Sequence, residues 1–85
     1  MVFAFKTERI THYGDKVYVV GNLNQYGNWN PENGLEMFTN KKSYPLWKSD
    51  SVEVNNTIML NLEYKFVIIK SNGVVVWEKG HNRCC

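Results

Sequence analysis

The sequence predicts an all-β domain built as an antiparallel sandwich or barrel. Apolar and polar residues alternate with a period of two along most of the 85 residues. Clusters of Gly, Asn, Asp and Pro interrupt this alternation roughly every 8–12 residues, a spacing typical of short strands joined by turns. No segment has a convincing helical period. A chain of this length forms one domain, so we expect a single module over residues 1–85.

The clearest strand in the pattern is Leu62–Lys70. Its alternation assigns four apolar side chains to one face, which we expect to be the core face: Leu62, Tyr64, Phe66 and Ile68. The other predicted strands are Val2–Ile10, Lys16–Gly21, Leu35–Phe38, Pro45–Ser49 with Val52–Val54, Thr57–Asn61 and Val74–Glu78.

The strands Leu62–Lys70 and Val74–Glu78 are predicted to form a hairpin. They are separated by Ser71-Asn72-Gly73. An Asn-Gly pair tolerates positive φ at both central positions of a tight turn. We therefore expect Glu63–Lys70 and Val74–Glu78 to pair in antiparallel fashion.

Charge and hydropathy argue against two classes of partner. The formal net charge is only +2, and the basic residues are scattered along the chain. Proteins that bind nucleic acids usually carry a basic patch or stripe, so we expect no nucleic-acid partner. No apolar run approaches the roughly 18 residues that a membrane span requires, so we expect no membrane partner.

The termini suggest a reducing compartment. The segment Met1–Glu8 lacks the basic start, apolar stretch and cleavage site of a secretory signal. The cysteines, Cys84 and Cys85, are adjacent at the chain end, so no disulfide framework is expected. These observations predict a cytoplasmic protein.

An aromatic residue in a turn-rich segment gives the first functional indication. Trp29 lies within Gly21–Pro31, which is rich in Gly, Asn and Pro and follows the strand Lys16–Gly21. Trp47 and Trp77 stand near strand edges beside polar residues. Three tryptophans placed in this way favour binding of a flat, polar ligand.

Four sequence blocks, in order, resemble the starch-binding domains of carbohydrate-binding module family 20. The blocks are Val17–Pro31, Tyr44–Trp47, Glu63–Val67 and Val76–Arg83. The resemblance implies an antiparallel β-sandwich with an immunoglobulin-like appearance that binds α-1,4-linked glucans at up to two sites. It also implies a noncatalytic module, here the N-terminal part of a larger protein with further domains.

The resemblance implies a role for five residues in a first glucan site. Trp29 and Trp77 would stack on sugar rings, Lys65 and Asn82 would hydrogen-bond hydroxyl groups, and Glu78 would contribute. The chemistry is suitable, because the C–H face of a pyranose packs on an indole ring. Lysine supplies hydrogen-bond donors, and asparagine supplies both donors and acceptors.

A second glucan site is implied less completely. Tyr13 and Trp47 match family positions at that site. A further aromatic residue usually precedes the tryptophan, but here Thr39–Ser43 contains none, and only Tyr44 follows. The family also continues after Asn82-Arg83 with one more strand, so the last strand of the sandwich is expected to be missing.

Each candidate also has a purely structural interpretation. The three tryptophans could belong to the core, Trp47 most readily because it follows Pro45 and Leu46. The lysine could be a solvated strand residue, the asparagine a turn former and the tyrosine a loop-edge residue. These readings stay open at the level of the sequence.

Catalysis, metals and cofactors have little support. His12 and His81 lie in separate predicted loops, without the ligand spacing of a metal site. Glycosidases need a pair of carboxylates, but a domain of this size has little room for a substrate cleft. We expect no catalytic residue, no metal and no cofactor. The main alternative to glucan binding is a protein-interaction sandwich that recruits a partner strand at an open sheet edge.

Overall fold

The computed structural model describes residues 2–53, 55, 57 and 61–84. These residues form two antiparallel sheets, and the prediction of an all-β antiparallel fold is confirmed. The strands are β1 (Val2–Phe3), β2 (Lys6–Glu8), β3 (Lys16–Gly21), β4 (Leu35–Phe38), β5 (Leu46–Ser49), β6 (Val52–Glu53), β7 (Glu63–Ile69), β8 (Val75–Trp77) and β9 (Arg83–Cys84).

The larger sheet has the strand order β2-β5-β4-β3-β7-β8, and β9 also pairs with β7. The strands β1 and β6 form a separate pair. The predicted first strand is divided between these sheets at Phe5. Its amide donates to Ser49 Oγ at 2.9 Å, and its carbonyl accepts from the Ser49 amide at 2.9 Å. The chain can therefore cross between the sheets without leaving this backbone unpaired.

The predicted hairpin joins β7 to β8, but its turn differs from the expectation. Strand pairing aligns Val67 with Trp77 and Ile69 with Val75. Among the described residues positive φ occurs at Gly73 (89°) but not at Asn72. The Gly73 amide donates to the carbonyl of Lys70 at 2.8 Å, which closes a turn one residue earlier. The glycine then forms the bulge of a three-residue hairpin loop.

The segment after β6 also differs from the expectation. A strand was predicted over Thr57–Asn61, of which Thr57 and Asn61 are described, and both have helical backbone. The Asn61 side-chain amide donates to the Thr57 carbonyl at 2.8 Å. Asn55, which precedes Thr57 in the described residues, is of a type that favours helix starts. Within the described ranges, no helix has the length and hydropathy needed to cross a bilayer.

The main core lies on one face of β3 and β7, as the alternation predicted. Leu62 and Phe66 are buried, and Tyr64 and Ile68 pack against them. Aromatic rings meet edge to face, with Phe5 5.0 Å from Tyr64 between ring centroids. The other buried members of this core are Phe5, Val17, Val19, Tyr26, Met37 and Trp47.

The opposite face of β3 and β7 is also covered in part. Val20 and Val67 are 0% and 1% exposed, although neither belongs to the main core cluster. Their strands place them on the face opposite Val19 and Phe66. Continuous apolar runs at these positions indicate strands buried on both sides, a signal that the sequence interpretation did not use.

Candidate functional site

Lys65 and Trp77 lie on the same face of the larger sheet. Phe66 points into the core, so its neighbours Lys65 and Val67 point to the opposite side. Val67 stands directly across from Trp77 in the pairing of β7 with β8, and residues directly opposite each other share a face. Trp77 is 41% exposed. The register thus settles the direction of Trp77, which alternation alone left open.

The ammonium group of Lys65 holds the segment that follows β8. It donates to the Glu78 carbonyl at 3.0 Å and to the Gly80 carbonyl. A lysine ammonium has three donors, so one remains after these two contacts.

Asn82 follows the same segment and is exposed. The pairing of β7 with β9 aligns Tyr64 with Arg83, and one more step of that register brings Asn82 beside Lys65. The Asn82 amide donates to Glu63 Oε1 at 3.3 Å. The sequence-predicted lysine and asparagine are therefore neighbours at one edge of the sheet.

Trp29 is held in an unusual backbone conformation. It ends the 3-10 segment Asn24–Trp29, and its φ is 66°, following 48° at Asn28 and 86° at Gly27. Positive φ in a bulky residue is uncommon and costs on the order of 1–2 kcal/mol. Such strain often occurs at functional sites, where the surrounding structure maintains it.

The loop that carries Trp29 passes from the core onto the outer sheet face. Tyr26 is buried in the core, 5.6 Å from Phe5 between ring centroids. At the other end of the loop, a Cβ on Gly34 would be 3.0 Å from Cγ2 of Val20, which lies on the outer face. Trp29 lies between Tyr26 and Gly34 in the sequence and is half-buried. We use the name sheet-face surface for the candidate set Trp29, Lys65, Trp77 and Asn82, which includes Trp29 because its loop approaches Val20, the residue paired with Lys65.

Glu78 does not share this surface with its side chain, which corrects the sequence interpretation. Its carboxylate accepts hydrogen bonds from Arg9 at 2.8 Å and from Arg83 at 2.6 Å. It also accepts from the Phe66 amide at 3.3 Å. The side chain is only 11% exposed. Glu78 contacts Lys65 through its backbone carbonyl and not through its carboxylate.

Burial and charge act in opposite directions on this carboxyl group. Burial raises the pKa of Glu78, whereas hydrogen bonds from Arg83 and Phe66 lower it, as do the charges of Arg83 and Arg9. The net pKa is below the ordinary value of 4.5. In turn, the hydrogen bond to Glu78 raises the pKa of Arg83. The group is therefore an ionised acceptor near neutral pH.

A groove lies where the loop containing Tyr13 meets the loop before β5. Its cavity volume is about 620 Å³. Tyr13 is fully exposed, Tyr44 is 40% exposed and Trp47 is 7% exposed. We use the name loop groove for the surface lined by Thr11, His12, Tyr13, Gly14, Asp15, Thr39, Asn40, Lys41, Tyr44 and Trp47.

The structure places Tyr13 and Trp47 together but gives them different environments. Trp47 belongs to the core cluster, and its indole N–H donates to the Arg9 carbonyl at 3.3 Å. A side chain so deeply buried lines the groove without presenting a whole ring face. Trp47 was predicted as a second-site residue with a core role left open, and the structure places it in the core.

Tyr44 is a groove residue that the sequence interpretation did not select. Its hydroxyl accepts from the Thr11 amide at 2.8 Å and donates to the Thr11 carbonyl at 3.0 Å. Tyr44 thereby joins the two loops that form the groove. Its place directly before Pro45, in a segment otherwise lacking aromatics, was the available signal.

The turn that presents Tyr13 is held by Asp15. The carboxylate accepts from the His12 amide at 3.0 Å and lies 3.5 Å from Lys70 Nζ. The amide of His12 lowers the pKa of Asp15, burial raises it, and Lys70 and Ser71 lower it further, with a net decrease. The exposed tyrosine thus stands on an anchored turn.

The described part of the chain contains no group of three or more His, Cys, Asp and Glu side chains that could hold a metal ion. Both candidate surfaces instead combine aromatic rings, an amide and a lysine, and the loop groove adds threonine hydroxyls and the Asp15 carboxylate. This composition suits a neutral polyhydroxylated ligand.

Comparison with known proteins identifies the family. The profile described as "Starch binding domain" matches residues 1–85. The chain is a starch-binding domain of carbohydrate-binding module family 20. It is 44% identical over 73 residues to Glucoamylase-1 of Schizophyllum commune, covering 86% of this chain and 12% of that protein. The predicted family is confirmed.

Solved structures agree with this assignment. The family 20 module of a maltotetraose-forming amylase from Pseudomonas saccharophila STB07 matches with a TM-score of 0.75 and 34% identity, covering 96% of this chain and 84% of that one. A γ-cyclomaltodextrin glucanotransferase from the alkalophilic Bacillus clarkii gives a TM-score of 0.78 and 42% identity, covering 94% and 12%. The starch-binding domain fold is confirmed.

Membership of this family establishes that the chain is a noncatalytic module that binds starch. Its full-length relatives are glucoamylases, cyclomaltodextrin glucanotransferases and amylases, of which this chain spans about one eighth or less. Such relatives point away from the cytoplasm, so the prediction of a cytoplasmic protein is wrong. An N-terminal segment without signal features carries no information about compartment in a chain that matches so small a part of its relatives.

Proposed function

We propose that this domain binds α-1,4-linked glucans chiefly at the sheet-face surface. Trp29 and Trp77 stack on sugar rings, and Lys65 and Asn82 hydrogen-bond the hydroxyl groups at the ring edges. The observation that supports this most directly is the register of β7 and β8, which gives Lys65 and the exposed Trp77 one face of the sheet. Glu78 is left out of the stacking surface and supplies a backbone carbonyl behind it.

The affinity of such a site is modest. Much of the sugar stays hydrated, and a flexible chain loses freedom when it binds. We expect a binding free energy of about −5 to −7 kcal/mol for a short α-glucan. Starch, amylopectin and glycogen all present this linkage, and each is a proposed ligand.

The loop groove is the proposed second glucan site. The fully exposed ring of Tyr13 and the partly exposed ring of Tyr44 border a cavity of about 620 Å³, which has the volume to receive a sugar unit. Trp47 closes the floor of that cavity from the core. Since its ring face is covered, we expect the groove to bind more weakly than the sheet-face surface.

A binding module of this kind acts by concentrating an attached enzyme on its insoluble substrate. We propose that this domain does so for a larger protein with further domains. An N-terminal position in that protein stays a prediction. The relatives named above combine such a domain with starch-degrading activities, and these activities are the first candidates for the attached enzyme.

Sedimentation with granular starch, followed by calorimetry with the cyclic glucose heptamer, tests the proposal. We expect the domain to sediment with starch and the heptamer to compete. Retention in the supernatant by a folded sample would contradict glucan binding. Binding that disappears as salt rises would instead indicate nucleic acid, and salt-independent capture of a protein strand would indicate the sheet-edge alternative.

A further inference from the structure

Arg9, Glu78 and Arg83 form a compact ionic cluster behind the sheet-face surface. Arg83 contacts the Glu78 carboxylate through both Nε, at 2.8 and 3.0 Å, and Nη2, at 2.6 Å. Arg9 reaches the same carboxylate at 2.8 Å. Hydrogen bonds between charged partners are the shorter and stronger kind, and the two-point arginine contact also fixes orientation.

The cluster rests on a core aromatic ring. The guanidinium carbons of Arg83 and Arg9 lie 5.1 and 5.7 Å from the centroid of Phe66. Both distances are within the range of cation–π attraction. The Glu78 amide also donates to the Phe66 carbonyl at 3.1 Å. Glu78 is thus attached to β7 through its backbone and its side chain.

The loop between β8 and β9 begins and ends at members of this cluster. Glu78 follows the last residue of β8, and Arg83 is the first residue of β9. The ion pair between them therefore closes the four residues 79–82. Within that loop, the Gly80 carbonyl accepts from Lys65, and Asn82 stands beside Lys65.

We propose that Arg9, Glu78 and Arg83 are positioning residues for glucan binding at the sheet-face surface. By closing the loop over residues 79–82, the cluster fixes the carbonyl groups that orient the Lys65 ammonium. It also fixes the side-chain amide of Asn82. The remaining N–H of Lys65 then points in one direction before the sugar arrives, which reduces the entropy lost on binding. This inference rests on the proposed function.

The test uses Glu78→Gln and Arg83→Gln, with Arg83→Lys as the conservative variant. Affinity for the cyclic glucose heptamer is measured by calorimetry well below each variant's unfolding midpoint. We expect about five- to tenfold weaker binding for the two glutamine variants. The Arg83→Lys variant should recover part of the loss, because it keeps the charge but not the two-point contact.

Two further readouts separate positioning from general stability. The double variant Glu78→Gln/Arg83→Gln should bind no more weakly than either single variant, because both break the same contact. Amide resonances of Gly80 and Asn82 should shift in the free variants, before ligand is added. Lys16→Gln, which removes an exposed 3.9 Å contact to Glu36, is the matched control and should leave affinity unchanged.

Wild-type affinity in folded Glu78→Gln and Arg83→Gln samples would overturn the positioning role while leaving the proposed function intact. So would strictly additive losses in the double variant. Failure of the unchanged domain to bind the heptamer would overturn the proposed function and this inference together. If a glutamine variant does not fold, Arg83→Lys decides: wild-type affinity with unshifted loop resonances contradicts the proposal, and a measurable loss supports it.

Discussion

The two candidate glucan surfaces use aromatic rings in different ways. On the sheet-face surface, Trp77 projects from a strand whose register fixes its direction, and it shares that face with Lys65. In the loop groove, Tyr13 projects from a turn, while Trp47 is buried in the core. On the sheet-face surface, the exposed ring area thus belongs to a strand and a strained loop. In the loop groove, it belongs to tyrosine side chains on two loops.

Arg9 links the loop groove to the ionic cluster behind the sheet-face surface. Its side chain binds the Glu78 carboxylate, and its carbonyl accepts the indole N–H of Trp47. The comparison shows that two tryptophans of one chain can have different uses: Trp77 is partly exposed to solvent, and Trp47 supports the loop groove from the core. The predictions that follow use variants that affect one surface and not the other.

The largest expected effect is on stability at Trp47. Trp47→Ala should lower the free energy of unfolding by about 3–5 kcal/mol, because it leaves a cavity in the core. Tyr13→Ala, at a fully exposed neighbour in the same groove, should change that free energy by less than about 0.5 kcal/mol. Chemical denaturation measures both. Equal stabilities would show that Trp47 is not a core residue.

The largest expected effect on binding is at Trp77. Trp77→Ala should weaken binding of the cyclic heptamer by at least about 2 kcal/mol, roughly thirtyfold, while the fold persists. The matched control is Val76→Ala, since Val76 is the preceding residue, 40% exposed and on the other face of β8. Calorimetry in which both variants lose affinity equally would remove Trp77 from the binding surface.

A smaller loss is expected at Lys65. Lys65→Met keeps most of the apolar stem but removes the donors, and it should cost about 1–2 kcal/mol of binding free energy. Tyr13→Ala should leave the stronger binding step, at the sheet-face surface, unchanged. It should reduce only a weaker, second step at the loop groove. An unchanged first step in Lys65→Met would contradict the role of the ammonium group.

The smallest effect is expected from pH. The folded-state pKa of Glu78 is lowered, so its stabilising contribution is complete above the ordinary carboxyl value of 4.5 and is lost as pH falls through the folded-state pKa. Its charged neighbours are Arg9 and Arg83, with Tyr64 near the latter. Asp15 contributes with the same sign. Denaturation below pH 4.5 should show a shallower decline in Glu78→Gln than in the unchanged domain, and parallel declines would contradict this assignment.

Much of the fold follows from alternation and turn residues. The strands β3 and β4 occur at their predicted bounds, and the core face of β7 is as expected. The strand division at Phe5 was not predictable, because it depends on Ser49, a residue 44 positions away. The helical backbone at Thr57 and Asn61 was missed because a short apolar segment does not distinguish helix from strand.

The site was predictable in its residue types but less so in its geometry. Alternation assigned Lys65 to the face opposite Phe66, and only the β7–β8 register could add Trp77 to that face. The family resemblance implied that Glu78 contributes to the site, but adjacent strand residues point to opposite faces, so its side chain lies away from Trp77. The burial of Trp47 and the bridging role of Tyr44 depend on contacts with Arg9 and Thr11, which no local pattern reveals.

The most direct test of the central claim is a nuclear magnetic resonance titration with the cyclic glucose heptamer that follows the three indole N–H signals. We expect the signals of Trp29 and Trp77 to shift together and saturate at the same ligand concentration. The Trp47 signal should stay nearly unchanged over that range, because its N–H is bonded to Arg9. Saturating shifts at Trp47 and at the Tyr13 ring, with Trp29 and Trp77 unmoved, would contradict the assignment of the sheet-face surface as the principal glucan site.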